Sequence, residues 1–194
     1  MMQRLTIVRG HRIQQQKSGH GRTYRPIRGL IRYLAFGRLS EQRADTPQRG
    51  LWLAQTGKVQ THLAVEQWAK DKVHRFGYDH AYQLLLSTGK GGLDSADFNI
   101  ALQAGSQISN VHEWRMMLHT DTNNLHAHAI LFRREPLSKS EYLAWQQTMQ
   151  QTLDKRQMAR ILEQEQSHGR ALEQSQSAEL TVPNQQTRNW GIEQ

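Results

Sequence analysis

The sequence predicts an α+β fold, a central antiparallel β-sheet flanked by helices, and three observations lead to it. Apolar and β-branched runs at 4–9 and 82–86 have the length of strands and are bounded by Gly, Gln and Ser. Residues 113–119 and 126–133 read as two strands around a short polar loop, the pattern of a hairpin and hence of antiparallel pairing. Stretches with helical spacing at 61–76, 94–108 and 138–167 lie between and after them, so helices and strands are mixed without strict alternation. At 194 residues the chain is long enough for one domain with appendages.

Taken in order, R-L-T-I-V-R at 4–9 is a strand, and the Gly- and Gln-containing stretch that follows, through Gly21, reads as a loop. Pro26 and Gly29 punctuate the approach to a short apolar helix at 30–36, and residues 45–50 form a turn. Leu63, Val65, Trp68, Val73 and Phe76 recur near helical spacing, with Thr61 as N-cap and Gly77 as stop. Y-Q-L-L-L at 82–86 is a buried strand that ends at Ser87, and T-G-K-G-G at 88–92 is a turn. Asp94 or Ser95 caps a helix running to about Ile108. After the hairpin, Pro136 ends the second strand. S-K-S-E at 138–141 opens a long Gln-rich helix as a capping box, because Ser138 and Glu141 can each satisfy an amide that the first turn leaves open. Beyond Gly169 the sequence is polar and reads as one more short helix and a loose end. The resulting organisation is a basic strand and arm (1–24), a core (25–136), a long helix (137–168) and a polar tail (169–194).

Composition removes several classes of function. No cysteine is present, which excludes disulfide frameworks, thiolate metal sites and thiol nucleophiles, fits a reducing cytoplasm, and leaves ten histidines as the soft metal ligands. No stretch approaches a membrane span and residues 1–10 lack the apolar core of a signal peptide, so a cytoplasmic protein without membrane insertion is expected. The net charge is +8 and unevenly placed. Residues 1–50 hold eleven basic and two acidic side chains, a balance of +9, while the other 144 hold 14 and 15, a balance of −1. Such a concentration points to a polyanionic partner, most simply nucleic acid, with Arg25, Arg28 and Arg32 as candidate phosphate contacts.

The hairpin carries the sharpest chemical signal. Residues two apart in a strand share a face, so H-A-H puts His126 and His128 on one side. If the polar loop at 120–125 closes the hairpin, His119 lies opposite His126 and shares that face too. One histidine would be an ordinary core or surface residue; three converging from two strands offer a divalent metal three nitrogen ligands and leave positions open for water or a phosphate oxygen. In a basic protein without thiols, such an ion suits phosphodiester cleavage as a Lewis acid. Tyr33, within the basic quarter and beside Arg32, is the candidate nucleophile, although an aromatic in an apolar turn is by itself core packing far more often.

These motifs resemble those of conjugative relaxases, members of the HUH endonuclease superfamily. H-T-D-T-N-N-L-H-A-H at 119–128 is similar to their third motif, in which two histidines flank a hydrophobic residue and a third lies upstream. Y-Q-L-L-L-S at 82–87 looks like the second motif, and G-L-I-R-Y-L at 29–34 like the first. The nearest pattern is that of the IncP-plasmid and T-DNA border relaxases (the MobP group), and the order Tyr, Ser, His triad is also theirs over roughly 25–135. The chain departs from it in the length preceding Tyr33 and in the Gly-rich turn after Ser87.

The resemblance implies an HUH nuclease domain that nicks one DNA strand at an origin of transfer and keeps the tyrosine joined to the 5′ phosphate. By that likeness Tyr33 attacks, His119, His126 and His128 hold Mg²⁺ or Mn²⁺, Ser87 positions a backbone phosphate and Asp121 orients a histidine. Single-stranded DNA, accessory relaxosome proteins and a coupling protein are the implied partners. Two other readings stay open: a rolling-circle initiator or transposase, which would use Tyr142, and a DNA-binding module without catalysis.

Overall fold

Eight strands and four helices make up the described part of the chain: β1 (Thr6–Ile13), β2 (Lys17–Ser18), β3 (Gly21–Arg22), α1 (Arg25–Phe36), β4 (Gly50–Ala54), β5 (Val59–Gln60), α2 (His62–His74), β6 (His80–Thr88), α3 (Ser95–Ser109), β7 (Trp114–His119), β8 (His126–Arg133) and α4 (Lys139–Glu179). They come from a computed structural model that describes residues 6–13, 17–18, 21–22, 24–38, 46–88, 92–111, 113–119 and 125–179. Two units partition the chain, 1–158 and 159–194, with the boundary inside α4. Among the described residues no helix is long and apolar enough to cross a membrane.

The expected α+β class holds. Six strands pair antiparallel in the order β1-β6-β8-β7-β4-β5, and β2 pairs with β3. Alternation along the strands sorts their side chains to two faces. On one face Val8, Leu84, Leu86, Ala129, Leu131 and Met116 pack with Phe98 and Leu102 of α3 and with Trp145, Met149 and Leu153 of α4. On the other, Ile13, Ala81, Ile130, Phe132, Met117 and Trp52 pack with Ile27, Ile31 and Leu34 of α1 and with Val65, Ala69 and Val73 of α2.

Local signals explain where the helices begin. Thr61 caps α2 by accepting from the Ala64 amide, and Asp94 caps α3 in a reciprocal capping box with Asp97. The expected box at α4 forms as well: Ser138 Oγ accepts from the Glu141 amide, and Glu141 accepts from that of Ser138. Gly105 of α3 sits where an added Cβ would lie 2.6 Å from the Trp145 ring, so the absence of a side chain lets α3 and α4 meet.

The glutamines of α4 have a definite task. β1 is an edge strand, and an uncovered edge presents unpaired backbone groups. Along one stripe of α4, spaced four residues apart, Tyr142 donates to the Gly10 carbonyl (2.7 Å), Gln146 to the Val8 carbonyl and Gln150 to the Thr6 carbonyl, while Gln150 accepts from the Val8 amide (2.9 Å). Asp154 continues the stripe and accepts from the Thr6 hydroxyl.

Several boundaries differ from those expected. The first strand runs on to Ile13, because Gly10 belongs to the sheet and gives Tyr142 room to approach. The first helix begins at Arg25 rather than at residue 30, since Pro26 is at home in a first turn, where no amide is needed. A strand pair, β4 and β5, occupies 50–60, of which only a turn near 45–50 was expected; G-L-W-L-A is short and shows no alternation, Trp52 and Leu53 being buried on opposite faces while Leu51 is half exposed. α4 continues to Glu179 instead of ending near residue 167.

Candidate metal centre

The register of β7 and β8 sets the geometry of the centre. His119 closes β7 and is paired directly with His126, which opens β8, and Ser87 of β6 is the partner of His126 on its other side. One row across the sheet therefore reads Ser87, His126, His119, Gly50, with His128 two residues further along β8 on the same face. Gly50 is required there, because a Cβ would lie 1.9 Å from the Leu118 carbonyl oxygen. β4 can thus pair tightly beside His119.

The three imidazoles converge as the hairpin pattern predicted, each offering a nitrogen within 4.8 Å of the others. His119 and His126 stack, with centroids 4.9 Å apart and planes 16° apart, and His128 meets both edge-on at 5.3 and 5.6 Å. His119 is buried and the other two are half-buried. Burial, followed by the proximity of His119, His126, Arg49 and His11, pushes the pKa of His128 down to about 4. At neutral pH this ring is therefore uncharged and able to act as a ligand.

Tyr33 belongs to the helix that packs on the histidine-bearing face. α1 and α2 run antiparallel, with Phe36 against His62 at one end and Tyr24 against His74 at the other. The C-terminal end of α1 is tied to the start of β4 by the Arg49 amide, which donates to the Ala35 carbonyl at 2.8 Å, and β4 begins opposite His119. The last turn of α1, which carries Tyr33, is thus held at the histidine end of the sheet. Its ring is 50 % exposed and does not belong to the packed histidine cluster. Arg25, Arg28 and Arg32 lie on exposed positions of α1, and Arg28 pairs with Glu66 of α2 at 3.1 Å. Asp121 falls outside the described residues. Tyr142 is engaged elsewhere: its hydroxyl bonds the β1 edge and its ring packs with the core of the opposite face, edge-on to Trp145.

Sequence reasoning overlooked the surroundings of His128. Gln83 of β6, 9 % exposed, places its amide nitrogen 3.0 Å from His128 Nδ1, so that its N–H donates to that ring nitrogen. Arg9 and His11 of β1 project from the same face, and together with Gly10, Gln83, Leu85 and His128 they line a cavity of about 400 Å³. A signal was present, since Gln83 is the one amide in the apolar run Y-Q-L-L-L, at even spacing from Ser87. A second cavity, of about 470 Å³, includes Lys72, Glu113 and Arg115 in its lining. Lys72 and Arg115 are committed: Glu113 accepts from Lys72 at 2.5 Å and from Arg115 at 2.8 Å. Burial by itself would raise the Glu113 carboxyl, but these two partners hold it below the usual range.

The donor set at the histidines suits a metal. Three imidazole nitrogen donors on two paired strands, partly open to solvent, match the requirements of a divalent ion that keeps positions free for further oxygen ligands. Such an ion would polarise a bound phosphoryl or carbonyl oxygen or activate water. Compared with known protein families, characterised proteins and solved structures, the chain matches none.

Proposed function

We propose that the chain is a metal-dependent nuclease and strand transferase for single-stranded DNA, acting as the relaxase motifs imply, with Tyr33 as its nucleophile. The observation that supports this most is the meeting of His119, His126 and His128 on a partly open sheet face that also bears Ser87 and is packed by the helix of Tyr33. When bound, Mg²⁺ or Mn²⁺ would supply Lewis-acid stabilisation of charge on a phosphoryl oxygen.

The chain's own residues do the rest. His119, His126 and His128 hold the ion. Ser87, Arg9 and His11 receive neighbouring backbone phosphates, with the arginines of α1 as further contacts. The Tyr33 hydroxyl gives up its proton to solvent and attacks phosphorus, a P–O bond to tyrosine forms, and the bond to the 3′ oxygen breaks, the released 3′ oxygen taking up a proton from solvent. The phosphodiester is conserved as a 5′-phosphotyrosyl link, so rejoining is the same step reversed. The partners that fit this reading are an origin of transfer, accessory relaxosome proteins and a coupling protein. Tyr142 is not used because the β1 edge already engages its hydroxyl.

The experiment is to incubate labelled single-stranded oligonucleotides containing a nick site with Mn²⁺, denature, and map any protein–DNA adduct by mass spectrometry. An adduct on Tyr33 that is lost in Tyr33→Phe is expected. An adduct on Tyr142 would select the replication-initiator reading. DNA binding without cleavage would leave a non-catalytic module.

A further inference from the structure

We infer that the cavity lined by Lys58, Gln60, Tyr78 and Arg115 is a nucleotide-binding pocket, which takes one base with its phosphate, either free or as a unit of a single strand. This goes beyond the metal centre and uses none of its residues. Arg115 of β7 shares a sheet face with His119 but lies four residues along the strand, about 13 Å away by strand rise. The pocket therefore sits at the Phe132 end of that face, and its volume of about 470 Å³ falls within the range of small-molecule sites.

Its walls are held in place by the fold itself. In the turn between β4 and β5, the Ala54 amide donates to the Lys58 carbonyl at 2.9 Å and the Gly57 amide to the Ala54 carbonyl at 2.8 Å. Asn99 of α3 donates to the Gln55 carbonyl and accepts from the Trp114 indole, which ties this turn to α3 and β7. The lining supplies what each part of a nucleotide needs. Tyr78 and Phe132 give aromatic surface, on which any base can pack. Gln60 and Asn110 carry amides that both donate and accept, as the edge of a base does. The Gln60 side-chain oxygen and Arg115 Nε are buried without a hydrogen-bond partner, and a turn of the Gln60 side chain lets a bound base answer its amide. Lys58, Lys72 and Arg115 face the single carboxylate of Glu113, an excess of two positive charges. Lys58 is exposed, and Arg134 stands 5.6 Å from the Tyr78 ring centroid, so a phosphate beside that ring meets cations. An apolar ligand would leave these charges unanswered, and a bare anion would leave the rings unused.

The test titrates the full chain in EDTA with each of the four deoxynucleoside monophosphates and follows ¹H–¹⁵N amide spectra. Deoxynucleosides, inorganic phosphate and a tetranucleotide are the further probes. At least one monophosphate should shift the amides of 54–60, Tyr78, Asn110 and Arg115 while those of His126 and His128 stay in place, and its nucleoside or phosphate alone should bind more weakly. Lys58→Glu, at an exposed position, should weaken binding about 10-fold; Gln60→Leu should weaken it by a similar factor and change the order of preference among bases. Equal affinity for monophosphate and tetranucleotide would identify a free nucleotide as the ligand, and a tighter tetranucleotide that both variants weaken would identify a strand; either supports the pocket. Unshifted amides in this region at millimolar nucleotide, phosphate alone reproducing every shift, or affinities unmoved in both variants would overturn it. The titration needs neither metal nor cleavage, so its failure would leave the Tyr33 reading standing, and a missing Tyr33 adduct would leave the pocket standing.

Discussion

The two faces of the sheet are built from the same strands and put to different uses. The face under α3 and α4 is closed by large side chains, with Trp114, Trp145, Phe98 and Met116 each at most 1 % exposed. Its buried charge is answered as well, since Asp97 accepts from Arg156 at 2.6 Å and from the Asp94 amide. The face under α1 and α2 is closed only at the Phe132 end. At the other end it presents Arg9, His11, Gln83 and His128 around a cavity, with His126 half-buried on the same face. Alternation along β8 makes this division possible, because Ala127, Ala129 and Leu131 serve one core while His126 and His128 are left for the other side. Packing on the first face supplies the rigidity on which imidazoles of the second can be held in place.

That separation can be broken most forcefully from the packed side. Trp145→Ala should cost about 3–5 kcal/mol in urea denaturation, because it opens a cavity among Tyr82, Tyr142 and Gly105. The Mn²⁺ affinity of the protein that remains folded should be unchanged, and a parallel fall would mean that the faces are not independent. From the histidine side the effect reverses. His126→Ala should weaken Mn²⁺ by at least about 100-fold, some 2.7 kcal/mol, with no loss of denaturation midpoint. Calorimetric affinity equal to wild type would remove the three-histidine centre.

A pH change sharpens the contrast without mutating the core. The pKa of His128 is lowered from 6.5 to about 4 in the folded chain, so between these values the unfolded chain takes up a proton that the folded one refuses. Stability is therefore intact above pH 6.5 and declines as pH falls toward 4, by about 2 kcal/mol after allowing for partial solvation. Metal-free protein should show this decline in denaturation midpoints between pH 7 and 5, and His128→Gln should show less of it. The smallest expected effect lies at the sheet edge. Gln150→Ala removes the acceptor of the Val8 amide and a donor to the Thr6 carbonyl and should cost about 1 kcal/mol. Light scattering should also detect self-association through the uncovered β1 edge. A monodisperse variant with full stability would show that this edge needs no cover.

How much of this was legible differs from element to element. The capping residues Thr61, Asp94 and Ser138 mark helix starts because capping is a local event between a side chain and amides two or three residues away. The H-A-H pattern and the short loop before it gave the three-histidine group, because a period of two and a hairpin register are also local rules. β4 was missed for the opposite reason. Its five residues pair along their whole length with β7, which lies more than sixty residues away, while nearby β5 pairs only with Trp52 and Leu53.

The chain's sequence by itself determined the α+β class, the hairpin and the histidine face, since each follows from spacing along one stretch of chain. Tertiary structure alone decided the rest. It set the strand order, which makes β1 an edge and gives the glutamines of α4 backbone groups to cover. It separated the two tyrosines, holding the last turn of α1 at the histidine end while Tyr142 bonds to Gly10. It also brought Gln83 to His128, forty-five residues apart in sequence. The physical reason is that capping and alternation act over a few residues, whereas the partner of a buried polar group is chosen by whatever the folded core leaves within about 3 Å of it.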